Sequence, residues 1–252
     1  MKAFFKTYWK TLLFFALSGL LGGFLTGLYM LDSYPPEIQQ QIFDQGLNNT
    51  LVGVVTAVQY AGYGVVLGAL GIWLGKKIGL WKDARRFTGK GLLSAVAVAL
   101  IGGVALLLPD LLFFGRYEQG IQDSYATKPA LDYVLGMVVL GGVVEEVMLR
   151  LFMMSLVAFV LHRVVGRRRD CVSKAVLVTA NVISALLFAA GHLPVNALLF
   201  GLTPMIVLRC FLLNGGFGLA FGWIYRKYGL RYAMMAHGGC HVVSKLIWIV
   251  LL

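Results

Sequence analysis

The sequence predicts an all-α membrane protein, a polytopic bundle of about seven transmembrane helices with its N-terminus in the cytoplasm. Three observations predict it. Hydrophobic residues fill 59% of the 252 positions, charged residues only 13%, and mean hydropathy is +0.81, a composition outside the range of soluble globular chains. Apolar windows long enough to cross about 30 Å of hydrocarbon recur along the whole chain. Lysine and arginine collect between alternate windows, as the positive-inside rule requires.

The first window, 11 to 31, follows MKAFFKTYWK. That opening resembles a signal-peptide n-region, but the apolar run is too long for an h-region and no A-x-A site closes it, so it is read as a retained membrane anchor. Windows 51 to 74 and 91 to 108 contain no Asp, Glu, Lys, Arg or His. The fourth, 133 to 161, carries Glu145, Glu146 and Arg150 in VVLGGVVEEVMLRLFMM. The fifth, 175 to 192, ends in FAAGHLP, where Pro194 restricts Leu193 and withholds an amide donor. The sixth and seventh, 205 to 225 and 232 to 252, contain Arg209 and then His237, His241 and Lys245. Between the fifth and sixth, Leu193 to Pro204 fits a loop, a short interfacial helix or part of a broken span.

Of the 22 Lys and Arg, 17 fall at the N-terminus, in the loops 75 to 90 and 162 to 174, and at 226 to 231, all on one side. The other side has Arg116 and Lys128 with seven acids, Asp110 among them. The basic side is cytoplasmic and the C-terminus lies outside. A net charge of +11 is therefore a topology signal and a contact for anionic lipid, and no nucleic-acid partner is expected. Cys171, Cys210 and Cys240 form no disulfide framework. Glycines at small-xxx-small spacing, such as Gly23 and Gly27 or Gly218 and Gly222, predict close helix packing. The chain, 1–252, reads as a single transmembrane domain.

Ionisable groups at membrane depth are expensive and mark function by default. Glu146 and Arg150 are four apart, the spacing at which a carboxylate meets a guanidinium on one helix, and their expected role is structural. Glu145, about 100° round the helix, has no evident local partner and is the better candidate for chemistry. His237 and His241 are four apart on one face of the last span. That is a metal-ligand spacing, and equally one that sets two hydrogen-bond donors side by side. Arg209 and Lys245 are placed to snorkel to the interface.

In order, Glu145-Glu146-x-x-x-Arg150, Phe188-x-x-x-His192 and His237-x-x-x-His241 resemble the three motifs of the CAAX protease and bacteriocin-processing (CPBP, or Abi) family of intramembrane endopeptidases. The resemblance covers about 133 to 245, with the spans of 11 to 108 as accessory helices. It implies a multi-pass protease in the cell membrane of a prokaryote, acting on a membrane protein or lipidated peptide. By the same resemblance Glu145 with His192 activates water, His237 with His241 stabilises the oxyanion, and Glu146 with Arg150 supports the site. The family usually has asparagine or aspartate where this chain has His241, so the alternative of zinc on His192, His237 and His241 stays open beside the favoured metal-free site. Competing readings are a noncatalytic scaffold of the same fold, serving bacteriocin immunity or sensor-kinase regulation, and a transporter. Counted at 1.5 Å per residue, Glu145 lies roughly 18 Å below the outer face and His237 less than 10 Å above the inner one, while His192 falls near the outer end of its span.

Overall fold

The structure, a computed structural model, describes residues 2–82, 87–165 and 171–251. Parts of the basic loops at 75 to 90 and 162 to 174 lie outside these residues. Regular structure among the described residues is entirely helical. In chain order the helices are α1 (Lys2–Asp32), α2 (Pro36–Asp44), α3 (Asn49–Lys77), α4 (Gly89–Tyr117) and α5 (Gln119–Asp123). Next comes α6, in which Leu131–Val139, Leu140–Met154 and Ser155–Val165 run on without a break. The chain closes with α7 (Lys174–Gly191), α8 (Leu193–Phe200), α9 (Pro204–Tyr228) and α10 (Leu230–Leu251).

Six of these runs are long and apolar enough to cross a membrane: α1, α3, α4, α7 with α8, α9 and α10. The remaining expected span is α6, whose middle carries both glutamates and Arg150. Its length follows from the apolar residues on either side of them. Outward-facing Val58, Leu93 and Ile101 are each more than half exposed, which only a hydrocarbon solvent makes favourable. This is an integral membrane protein.

Helices begin where polar side chains satisfy the free amides of the first turn. Asn48, Thr88, Ser173 and Thr203 accept from the amides of Leu51, Gly91, Val176 and Ile206 and so open α3, α4, α7 and α9. Gly229, at φ 109°, turns α9 directly into α10 through a backbone conformation that side chains disfavour.

The glycine pattern serves packing inside the bundle. A Cβ on Gly23 would lie 2.7 Å from the Thr56 carbonyl oxygen, and one on Gly64 2.7 Å from that of Phe15, so α1 and α3 touch backbone to backbone. Gly218 meets Ala185 in the same way and brings α9 onto α7. The core centres on Val147, Leu151 and Met154 of α6 with Phe221, Ile224 and Tyr225 of α9 and Ala233 and Ala236 of α10.

Four expectations are corrected. The third span does not stop at 108: past Pro109, which has no amide to give the preceding turn, the helix continues with i→i+5 bonding over Asp110–Phe114. Asp110 is thereby a buried residue and not a loop acid on the outer side. Arg209 does not snorkel, because its Nε and Nη2 each donate to Asp110 at 2.6 Å. Lys245 does not snorkel either; its Nζ donates to the Tyr133 hydroxyl at 3.2 Å and lies over the rings of Tyr133 and Trp248. Of the three alternatives for Leu193 to Pro204, the short helix is the one formed, as α8.

Candidate active site

The middle of α6, Leu140–Met154, is bonded i→i+5. This widens the turn, so neighbouring residues are separated by less than the 100° of an α-helix, a distortion frequent at functional sites. Adjacent Glu145 and Glu146 consequently both reach the same imidazole. Glu146 Oε1 lies 2.9 Å from His237 Nδ1, and Glu145 Oε2 lies 3.9 Å from His237 Nε2. The expectation that Glu145 lacks a partner held only for its own helix.

Glu146 is fully buried, and the same Oε1 sits 3.2 Å from Arg150 Nη1. Two charges removed from water need each other and further hydrogen bonds. The guanidinium also packs against aromatic faces, 4.4 Å from the Phe188 ring and 5.4 Å from that of Phe221. Arg150 favours the carboxylate of Glu146, which in that form accepts from His237 Nδ1–H. Supporting the site and orienting an imidazole are thus one role for this carboxylate.

Phe221 stacks on His237 with ring centroids 4.4 Å apart and planes 20° apart. Phe188 stands edge-on to both His192, at 4.7 Å, and His237, at 5.9 Å. His192 closes α7, and its Nδ1 lies 2.8 Å from the Phe188 carbonyl oxygen one turn back, which makes Nδ1 the donor and leaves Nε2 as an acceptor. His237 and His241 rings are 5.1 Å apart. Gly141 makes room for both, since a Cβ there would lie 2.8 Å from His241 Nε2 and 3.3 Å from His237 Nε2. Gly142 touches the Gly238 backbone, which sets α6 against α10 at this level.

All four expected catalytic residues, Glu145, His192, His237 and His241, line one cavity of about 70 Å³, together with Asn214, Phe221 and Cys240. A water needs on the order of 10 to 15 Å³ by this measure, so more than one fits. The depth mismatch counted along the helices disappears in three dimensions. Rise per residue compares levels only for parallel axes that start from one plane, and the Phe188 contact to His237 shows that α7 and α10 do not. Among the described residues no group of three His, Cys, Asp or Glu side chains is arranged to hold a metal ion.

Sequence reasoning missed Phe221, Asn214 and the role of Gly141. LNGGFG gave no signal beyond small residues, whereas the Gly141-Gly142 pair one turn before the glutamates marked a close approach on that face.

Residues 128–243 match the family model of the Rce1-like proteins, type II CAAX prenyl endopeptidase Rce1-like. This is close to the 133 to 245 marked out by the three motifs, and over this segment the chain is similar to that family. No curated protein and no solved structure matches the chain.

Proposed function

We propose, from the match of residues 128–243 to the Rce1-like family of CAAX prenyl endopeptidases, that this chain is an intramembrane endopeptidase acting on a membrane-associated protein or lipidated peptide. The observation that carries the reading is the convergence of Glu145, His192, His237 and His241 on one water-sized cavity. Such a site in the cell membrane of a prokaryote, with the basic ends of the helices in the cytoplasm, suits cleavage of a chain anchored in the same bilayer.

Amide hydrolysis needs an activated water, donors for the tetrahedral oxyanion and a proton for the leaving amine. Glu145, which lines the same cavity as His192, takes a proton from water as the water's oxygen bonds to the scissile carbonyl carbon. The C–N bond then breaks and the proton passes to the amine, leaving a carboxylic acid and a free amino terminus. Glu146 and Arg150 fix His237 in one orientation throughout.

The test compares new protein termini in membranes of cells expressing the parent or Glu145→Gln, with purified parent incubated in parallel with a farnesylated and an unprenylated CAAX peptide. Termini present only with the parent, or cleavage of either peptide, are expected. Identical termini together with two intact peptides would replace the protease reading by a noncatalytic scaffold.

A further inference from the structure

The cavity is rich in acceptors. His192 has its N–H turned to the Phe188 carbonyl, and His237 Nδ1, 2.9 Å from Glu146 Oε1, turns the N–H of its neutral form toward that carboxylate. In their neutral forms both imidazoles present a lone pair at Nε2. A tetrahedral oxyanion placed among these groups would meet repulsion, so the donors must come from elsewhere in the lining. His241 is one source, since a neutral imidazole carries one N–H in either tautomer. Asn214 is the other.

Asn214 lies on α9 within Phe211–Gly215, a second stretch bonded i→i+5, and it lines the same cavity as Glu145. Its amide nitrogen has two N–H groups, and the partner recorded for it is the Cys210 sulfur, one turn back at 3.6 Å. Sulfur is a weak acceptor. The amide is thus lightly committed to the protein while facing a cavity that lacks donors. It also comes from a helix outside the three motifs.

Resting on the endopeptidase reading above, we infer that Asn214 is a hydrogen-bond donor to the oxyanion, acting with His241, and that His237 contributes to the site as an acceptor. Removing one oxyanion donor typically lowers kcat by roughly 10²- to 10³-fold.

The experiment measures kcat, KM and melting temperature for the parent, Asn214→Leu, Asn214→Asp and Glu145→Gln, using the farnesylated and the unprenylated CAAX peptides in detergent micelles. The expected result is a kcat about 10²-fold down for Asn214→Leu with KM within about threefold, and a larger fall for Asn214→Asp, whose carboxylate repels the oxyanion. A spacer role would reverse that order, because aspartate matches asparagine in shape and leucine does not. Asn214→Leu or Asn214→Asp turning over within about threefold of the parent while Glu145→Gln is inactive would overturn the role of Asn214 and leave the endopeptidase reading standing. A parent that cleaves neither peptide and gives the same membrane termini as Glu145→Gln would overturn both.

Discussion

Among the described residues, two arginine–carboxylate pairs sit in this membrane bundle, and they differ in what else touches them. Asp110 of α4 and Arg209 of α9 form a two-point contact at 2.6 Å, closed by the Tyr125 hydroxyl, which donates to Asp110 at 2.9 Å. Its hydrogen bonds are spent on binding helices together. Glu146 and Arg150 of α6 meet through a single 3.2 Å approach, and the same carboxylate oxygen takes the N–H of His237, whose other nitrogen borders the cavity. A membrane protein can thus use one kind of ion pair as a clamp in one place and as the mount of a cavity-lining imidazole in another.

Deleting one partner tests the clamp and the mount together. Arg150→Ala leaves Glu146 buried without its cation and should cost about 3 to 5 kcal/mol; Arg209→Ala should cost no more than that, since its side chain remains partly exposed. Replacing both partners with apolar residues separates the two regions. Asp110→Leu with Arg209→Leu should recover most of the lost stability and keep turnover, because no charge is left unpaired. Glu146→Leu with Arg150→Leu should recover stability and remain inactive. Denaturation in micelles and cleavage of the CAAX peptides measure both, and an active Glu146→Leu/Arg150→Leu protein would erase the distinction.

The glycines beside the mount give a smaller and divided effect. Gly142→Ala places a methyl 2.8 Å from the Gly238 Cα, backbone that cannot retreat, and should destabilise by about 1 to 3 kcal/mol as overpacking does. Gly141→Ala instead meets the rims of the His241 and His237 rings, which can turn aside. Its cost to stability should be under about 1 kcal/mol, with kcat falling because the imidazoles leave their positions. Equal melting temperatures and equal activities for the two variants would show that Gly141 does not set the rings.

The sequence made one pair visible and hid the other. Glu146 and Arg150 are neighbours on one helix, so spacing alone paired them, and the helix ends, the glycine faces and the short motif histidines were legible for the same local reason. Asp110 and Arg209 are far apart in the chain, and nothing local tells an acid at a window's end that an arginine will meet it; both were placed at the interface. The i→i+5 stretch of α6, which packs on α3 and α10, was equally hidden, since no proline or other local residue marks it. That widening is what lets Glu145 and Glu146 share His237. Phe221 and Asn214 escaped notice because α9 contributes to the site through tertiary packing and not through a motif.

The most direct measurement is the Glu145→Gln protein set against the parent in the same micelles. Glutamine keeps the shape of the side chain at a position bordering the cavity and in neither ion pair, so the melting temperature should stay within about 2 °C, as expected for a substitution worth no more than about 0.5 kcal/mol. Cleavage should fall below detection, because an amide cannot take the proton of water. Parent-like turnover by a stably folded Glu145→Gln protein would contradict the assignment of this cavity as the hydrolytic site.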